Sequence, residues 1–332
     1  MRVLLRLSVA TCVMMAAALV TGCSPTGSFK VSAIPSDQRL KERIVIRHPG
    51  WVSHRIAIID ISGILMNAQE VELLSEGEHP VSLTVEKLNA AASDKRVKAI
   101  VLRINSPGGT VTASDTLYEE IKAFRKRTGK PVVAFFQDVA ASGAYYLACA
   151  ADEIIAQRSS VTGSIGVLMQ MVDFSGTMSK LGITADAITS GPYKDAGSPF
   201  RQMRPEERDV FQGLVDGFYQ QFLEVVAAGR PALSRETIAT LADGRVYNAQ
   251  QALKAGLIDR IATLSEAIEV AKEKADIKAA HVVIYHRPLR WTPTIYAKAP
   301  GAGVPTVTFL NINLPKHWTK RPQMMYIWCV DD

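Results

Sequence analysis

Cysteine is scarce in this chain: Cys12, Cys23, Cys149 and Cys329 are the only four in 332 residues. They are too few for a dense disulfide framework, and their scatter lacks zinc-ligand spacing. Histidine is missing where it would matter most. The six are His48, His54, His79, His281, His286 and His317, so none falls in the 201 residues between His79 and His281. That stretch carries nearly all of the regular patterning. A Ser-His-Asp triad needs an imidazole within hydrogen-bond reach of its serine, and the patterned region offers none. No pair of His, Asp or Glu has metal-ligand spacing either, so neither a metal nor another cofactor is expected. A hydrolase built here would take its base from a lysine or a carboxylate. Charge of one sign is not concentrated: 38 basic and 32 acidic residues leave +6, spread along the chain, so nucleic acid is not an expected partner. With 48% hydrophobic and 21% charged residues, the composition is that of a globular protein, long enough for one large domain or two small ones.

A long apolar run is also lacking. The N-terminal one, Leu7–Val20, falls short of the roughly 20 residues that span a bilayer comfortably. It follows Arg2 and Arg6, contains no acid, and ends in Val20-Thr21-Gly22-Cys23. A basic start, an apolar core and small residues before a break form the layout of a secretory signal peptide. The small residues before Cys23 resemble a bacterial lipobox, in which the cysteine is acylated and becomes the new N-terminus; an uncleaved anchor helix is the alternative. The expectation is a signal peptide over 1–22 that is removed, a tether over 23–54, and a chain held at a membrane outside the cytoplasm.

Beyond the tether, Arg55–Ile61, Val97–Ile104, Pro131–Phe136 and Glu153–Ala156 read as strands, with Ser164–Met171 and Ile183–Ile188 completing the set. Helical spacing marks Ser82–Ala92, Thr112–Arg127 and Ala144–Ala151. Strands separated by helices of this length imply βαβ crossovers and a mostly parallel sheet covered on both faces. A long amphipathic helix is expected over Pro205–Gly229, with Val210, Phe211, Leu214, Phe218, Phe222 and Val225 in one stripe that packs in the core or between subunits. Two more helices surround a short Leu257–Ile261 strand, and Val282–Tyr285 suits one further strand. The tail ends in Met324, Met325, Tyr326 and Trp328, an apolar terminus of the kind that docks against something.

Three glycine-rich strand exits stand out: Asn105-Ser106-Pro107-Gly108-Gly109, Ala141-Ser142-Gly143-Ala144 and Thr162-Gly163-Ser164-Ile165-Gly166. Glycine there lets backbone N–H groups approach a bound group closely. A serine at a strand-to-helix turn between small residues is exposed in the manner of a nucleophile elbow, without that motif's usual sequence. Lys194, in Ser190-Gly191-Pro192-Tyr193-Lys194-Asp195, is the base candidate. To act near neutral pH its amine must lose its proton through burial, and Asp195 opposes this unless it points elsewhere. Cys149 reads as a buried small hydrophobe, and Asp138, Tyr145 and Tyr146 as structural or pocket-lining residues.

The ordered succession RINSPGG, DVAASGAYYLACAAD, VTGSIGV, SGPYKDAGSP and DGRVYNAQQALKAGLID resembles the short, single-protease-domain form of the signal peptide peptidase A family over about residues 55–275. The resemblance implies an α/β fold of the ClpP/crotonase type, with a mostly parallel sheet and a helical C-terminal extension. It assigns a protease domain to 55–276 and leaves 277–332 as an extension, a candidate interface tail. It implies a serine endopeptidase with Ser142 as nucleophile, Lys194 as general base, Ser164 orienting the lysine, and Gly109 and Gly143 as oxyanion-hole donors. It also implies a homo-oligomeric ring in which serine and lysine come from neighbouring subunits, acting on cleaved signal peptides and other apolar peptides. A lipid anchor at Cys23 departs from the membrane-helix anchor familiar in such enzymes and leaves inner and outer membrane open. Two alternatives remain: a catalytically silent lipoprotein scaffold that binds peptides, and an acyl-CoA enzyme of the same fold, for which the serine would have no role.

Overall fold

The computed structural model describes residues 39–68, 71–72, 75–76, 79–286 and 324–328. The strands are β1 (Lys41–Ile46), β2 (Arg55–Ser62), β3 (Val71–Glu72), β4 (Ser75–Glu76), β5 (Val97–Ser106), β6 (Gly108–Thr110), β7 (Val132–Ala141), β8 (Glu153–Ala156), β9 (Val161–Gly163), β10 (Leu168–Met169), β11 (Val246–Asn248), β12 (Arg260–Ile261), β13 (His281–His286) and β14 (Met324–Ile327). The helices are α1 (Pro80–Ser93), α2 (Val111–Thr128), α3 (Gly143–Ala148), α4 (Ser175–Lys180), α5 (Pro205–Gly229), α6 (Arg235–Leu241), α7 (Ala249–Lys254) and α8 (Leu264–Lys274).

The main sheet runs β1-β13-β2-β5-β7-β8-β12. All neighbours on this path are parallel except β1, which is antiparallel to β13. Period-two alternation sends Ala57, Ile59, Ile100, Leu102, Ala134 and Phe136 to one face, against α1, α2 and α3. Ile56, Ile58, Ala99, Val101, Val133 and Phe135 go to the other, against Ala267, Ile268 and Ala271 of α8. Because both faces are covered, the central strands read as unbroken apolar runs rather than as alternating ones. This is a mixed, mostly parallel α/β architecture.

One strand sets up the site. The first half of β7 pairs with β8 through Val133–Phe136, and its second half pairs with β9 through Val139–Ala141. β7 therefore runs on past β8 alongside β9 and delivers Ser142 at the end of that second half.

Three sequence expectations need correcting. Lys41–Ile46 lies inside the stretch assigned to the tether yet forms edge strand β1, with Arg55 pairing Glu42 and Asp94. Its side chains are largely exposed, so no buried face announced it. β13 pairs in parallel with β2, so the main sheet draws a strand from the stretch assigned to the extension. Ser164–Met171 contains only the two-residue β10, and residues 183–188 have no regular structure, their apolar residues lying exposed. The expected signal peptide and the expected lipidation at Cys23 fall outside the described residues, among which no helix is long and apolar enough to cross a membrane.

Candidate active site

Ser142 stands between β7 and α3 with φ 54° and ψ −117°, a backbone region that L-residues seldom occupy and that costs on the order of 1–3 kcal/mol. Its N–H donates to the Gly163 carbonyl at 2.7 Å, and its own carbonyl accepts from Tyr146 N–H at 2.9 Å. These two bonds hold the turn. The side chain is buried, and Oγ has no hydrogen-bond partner among the described residues. An orphaned hydroxyl is unusual for a buried polar group.

Small residues crowd around it by necessity. A Cβ on Gly143 would lie 2.2 Å from Ser114 Oγ, and one on Gly109 would lie 1.9 Å from the Leu65 carbonyl oxygen. Gly108 has φ +103° and Ser106 Oγ accepts from its N–H at 3.1 Å. Glycine at these three positions is therefore steric. Across the β5–β7 exits, Asn105 donates to Asp138 at 3.1 Å and accepts from Val139 N–H at 3.2 Å, tying the two loops together. Ser164 is buried with φ 48°, and its N–H donates to the Arg245 carbonyl at 2.8 Å. Ser142, Gly143, Gly109 and Ser164 are thus carried by adjoining strand ends: β9 runs beside β7, and Gly163, the residue before Ser164, holds the Ser142 N–H.

Lys194 is not among them within one chain. It lies exposed on the 191–199 loop, and no bond joins it to the unpartnered Ser142 Oγ. Asp195 does point elsewhere: Arg201 grips its carboxylate at 2.7 and 2.8 Å. Arg201 also donates to Glu207 at 2.6 and 3.0 Å, and Arg204 closes on the same carboxylate. The Arg201 hydrogen bonds hold Asp195 below the usual carboxylate range and take Glu207 down to about 2. This charge clamp anchors the lysine loop to the first turn of α5.

Tyr145 donates to the Leu257 carbonyl at 2.8 Å and is structural. Tyr146 donates to Asp115 at 2.6 Å, and its ring packs edge-on to Tyr118 and Phe222. Burial pushes the Cys149 thiol up to about 12, which leaves it protonated and unsuited to nucleophilic attack at neutral pH. Among the described residues no group of His, Cys, Asp and Glu could hold a metal. No sequence signal marks the positive φ at Ser142 and Ser164, nor the place of the tail residue Tyr326: β14 lies antiparallel between β6 and β10, and Tyr326 is fully buried.

Known families and proteins resemble this chain over much of its length. The model of peptidase family S49 matches residues 124–278, and that of Clp protease matches residues 53–190. A provisionally named protease of Methanocaldococcus jannaschii is 38% identical over 201 residues, 60% of this chain and 64% of that protein. A protein of Enterococcus faecium, provisionally named signal peptide peptidase SppA, is 33% identical over 236 residues, 71% of this chain and 68% of its own length. The chloroplastic serine protease SPPA of Arabidopsis thaliana is 37% identical over 215 residues, 64% of this chain but 31% of that protein. The chain thus spans about two thirds of the first two relatives and under a third of the last. Fold and likeness together define a serine-type peptidase on a ClpP-like α/β scaffold. Within that class, the chain belongs to peptidase family S49, the family of signal peptide peptidase A.

Proposed function

We propose that this protein is a lipid-anchored, extracytoplasmic endopeptidase that cleaves remnant signal peptides and other apolar or unfolded peptides with a Ser142–Lys194 dyad. The observation that carries the reading is the buried, unpartnered Ser142 Oγ on a strained turn among glycines that cannot be anything else. In the reaction, neutral Lys194 takes the Ser142 proton as Oγ attacks the peptide carbonyl. The N–H groups of Gly109 and Gly143 hold the oxyanion, a contribution of roughly 3 kcal/mol per donor. Protonated Lys194 then gives its proton to the leaving amine, and water hydrolyses the acyl-enzyme. Ser164 orients the lysine amine.

The lysine in this reading belongs to a neighbouring subunit of a homo-oligomeric ring. Supporting it are the exposure of Lys194 and an apolar surface on the chain that carries it, including Phe174, Leu181, Ile188, Phe200, Val210 and Leu214. Burial against a neighbour would remove water from Lys194 and so favour its neutral form. Acylated Cys23 would tether the ring to the membrane.

A fluorophosphonate probe tests the nucleophile. Peptide mapping of the treated full-length protein is expected to find the adduct on Ser142 alone and to find none in Ser142→Ala or Lys194→Ala. An adduct on another serine, or undiminished labelling of Lys194→Ala, would overturn the dyad.

A further inference from the structure

β7 changes neighbours on its way to Ser142, and it does so through a break in the ladder. On one side, β5 pairs Ile104 with Phe136 and Ser106 with Ala140. A single residue of β5, Asn105, therefore faces Gln137, Asp138 and Val139 of β7. On the other side, β8 lets go at Phe136 and β9 takes over at Val139. A bulge of this kind leaves backbone groups without ladder partners, and the buried ones must find others. Side chains supply them. The Ser160 hydroxyl is shared between the Phe136 carbonyl, at 3.0 Å, and the Gln137 carbonyl, and Thr162 Oγ1 donates to the Ala140 carbonyl at 2.7 Å. From the β5 side one side chain acts alone. Asn105 Oδ1 accepts from Val139 N–H at 3.2 Å, and its Nδ2 donates to Asp138 Oδ2 at 3.1 Å. The amide fits one way round. A backbone N–H can only donate and a carboxylate can only accept, so a carboxylate, an ammonium or a hydrocarbon in place of Asn105 would each fail at least one of the two. Gly109 follows four residues after Asn105, and Ser142 three after Val139.

We propose that Asn105 is a positioning residue of the peptidase: its amide fixes the β5 exit, which carries Gly109, against the β7 exit, which carries Ser142, and so sets the reach from Ser142 Oγ to the oxyanion donors. This rests on the reading of Ser142 as nucleophile and of Gly109 as a donor. Ser160 and Thr162 bond to β7 from the side of β9, and so steady the bulge without linking it to Gly109. Asp138 shares the task from the β7 side, as the acceptor that keeps the amide turned toward Val139.

Exchanging the two side chains in the full-length protein tests this. Asn105→Asp keeps an acceptor for Val139 N–H but sets two carboxylates face to face, where like charges repel. Asn105→Asp/Asp138→Asn again places an amide donor opposite a carboxylate. Hydrogen exchange over residues 137–142 is expected to quicken in Asn105→Asp and to return to the parental rate in the exchanged pair. Hydrolysis of an apolar fluorogenic peptide is expected to follow it. In Asn105→Asp, kcat falls at least about tenfold while KM changes less than about twofold. In the exchanged pair, kcat returns to within about threefold of the parent. Asp138→Ala removes one bond at an exposed position, so it decides the matter even if Asn105→Asp folds poorly; its kcat is expected to fall about threefold. A folded exchanged pair as slow as Asn105→Asp, or full kcat in either single variant, would overturn the positioning role. Unchanged exchange over 137–142 in both single variants would overturn the tie itself, whatever the nucleophile. Hydrolysis surviving Ser142→Ala would sink the nucleophile reading, and the positioning role with it, even where exchange upholds the tie.

Discussion

Ser142 keeps a conformation that most residues avoid, and its neighbours show how. Gly163 accepts its N–H, and a Cβ on Gly163 would strike the Tyr247 ring at 2.6 Å, so the strand that braces Ser142 must itself be bare. The same logic reaches Gly109. Adding a methyl there drives Cβ into the Leu65 carbonyl and displaces the N–H that the proposed reaction uses. Gly109→Ala is expected to lower kcat by about 10²-fold or more, with a smaller effect on KM, read from steady-state hydrolysis of an apolar fluorogenic peptide. An unchanged kcat would remove Gly109 from the oxyanion hole. The motif sequences pointed to these residues, but the crowding that makes them obligatory comes from Leu65, Ser114 and Tyr247. Those partners lie far away in the chain, and no local pattern connects them.

Among the elements, the lysine loop depends on a clamp of charges. Arg201 joins Asp195 to Glu207, which fixes the 191–199 loop against α5. Arg201→Ala is expected to leave α5 and the sheet folded, seen as unchanged far-ultraviolet circular dichroism, while hydrolysis falls at least about tenfold because Lys194 is no longer positioned. Full activity would show that the loop holds without the clamp. The pH dependence has a definite sign. The folded value for Glu207, about 2, lies below its ordinary 4.5. The clamp therefore contributes fully above about pH 4.5, and its contribution is lost as pH falls from there toward 2. Protease sensitivity of the 191–199 loop should rise over that window in the parent, and should already be high in Arg201→Ala at neutral pH.

The strands and helices were read well wherever both faces of the sheet are buried, because unbroken apolar runs such as Val97–Ile104 leave few other choices. α5 was legible to its ends, since Pro205, Glu206 and Glu207 mark its start. Reading failed where burial is one-sided or absent. β1 is an exposed edge, and the apolar residues over 183–188 lie exposed among the described residues. β14 was seen only as an apolar tail, because its partners β6 and β10 are three and two residues long.

Across the whole chain, the proposed reaction leaves two things unfinished. Among the described residues nothing bonds to Ser142 Oγ, and the helix that follows the Lys194 loop exposes Val210 and Leu214 at 50% and 47%. A patch of this kind on a stable protein marks an interface. Light scattering is expected to find an oligomer for the parent and smaller species for Val210→Glu/Leu214→Glu, with activity lost together with assembly. A monomeric, fully active parent would refute the shared site.

In the proposed enzyme serine and lysine meet across subunits, and mixing two inactive variants tests this. Full-length Ser142→Ala and Lys194→Ala proteins, each inactive alone, are dissociated, combined in equal amounts and reassembled. With one residue of each dyad from each neighbour, random assembly restores about a quarter of parental peptide hydrolysis. Hydrolysis by either variant alone, or none from mixed oligomers whose size matches that of an active parent, would contradict it.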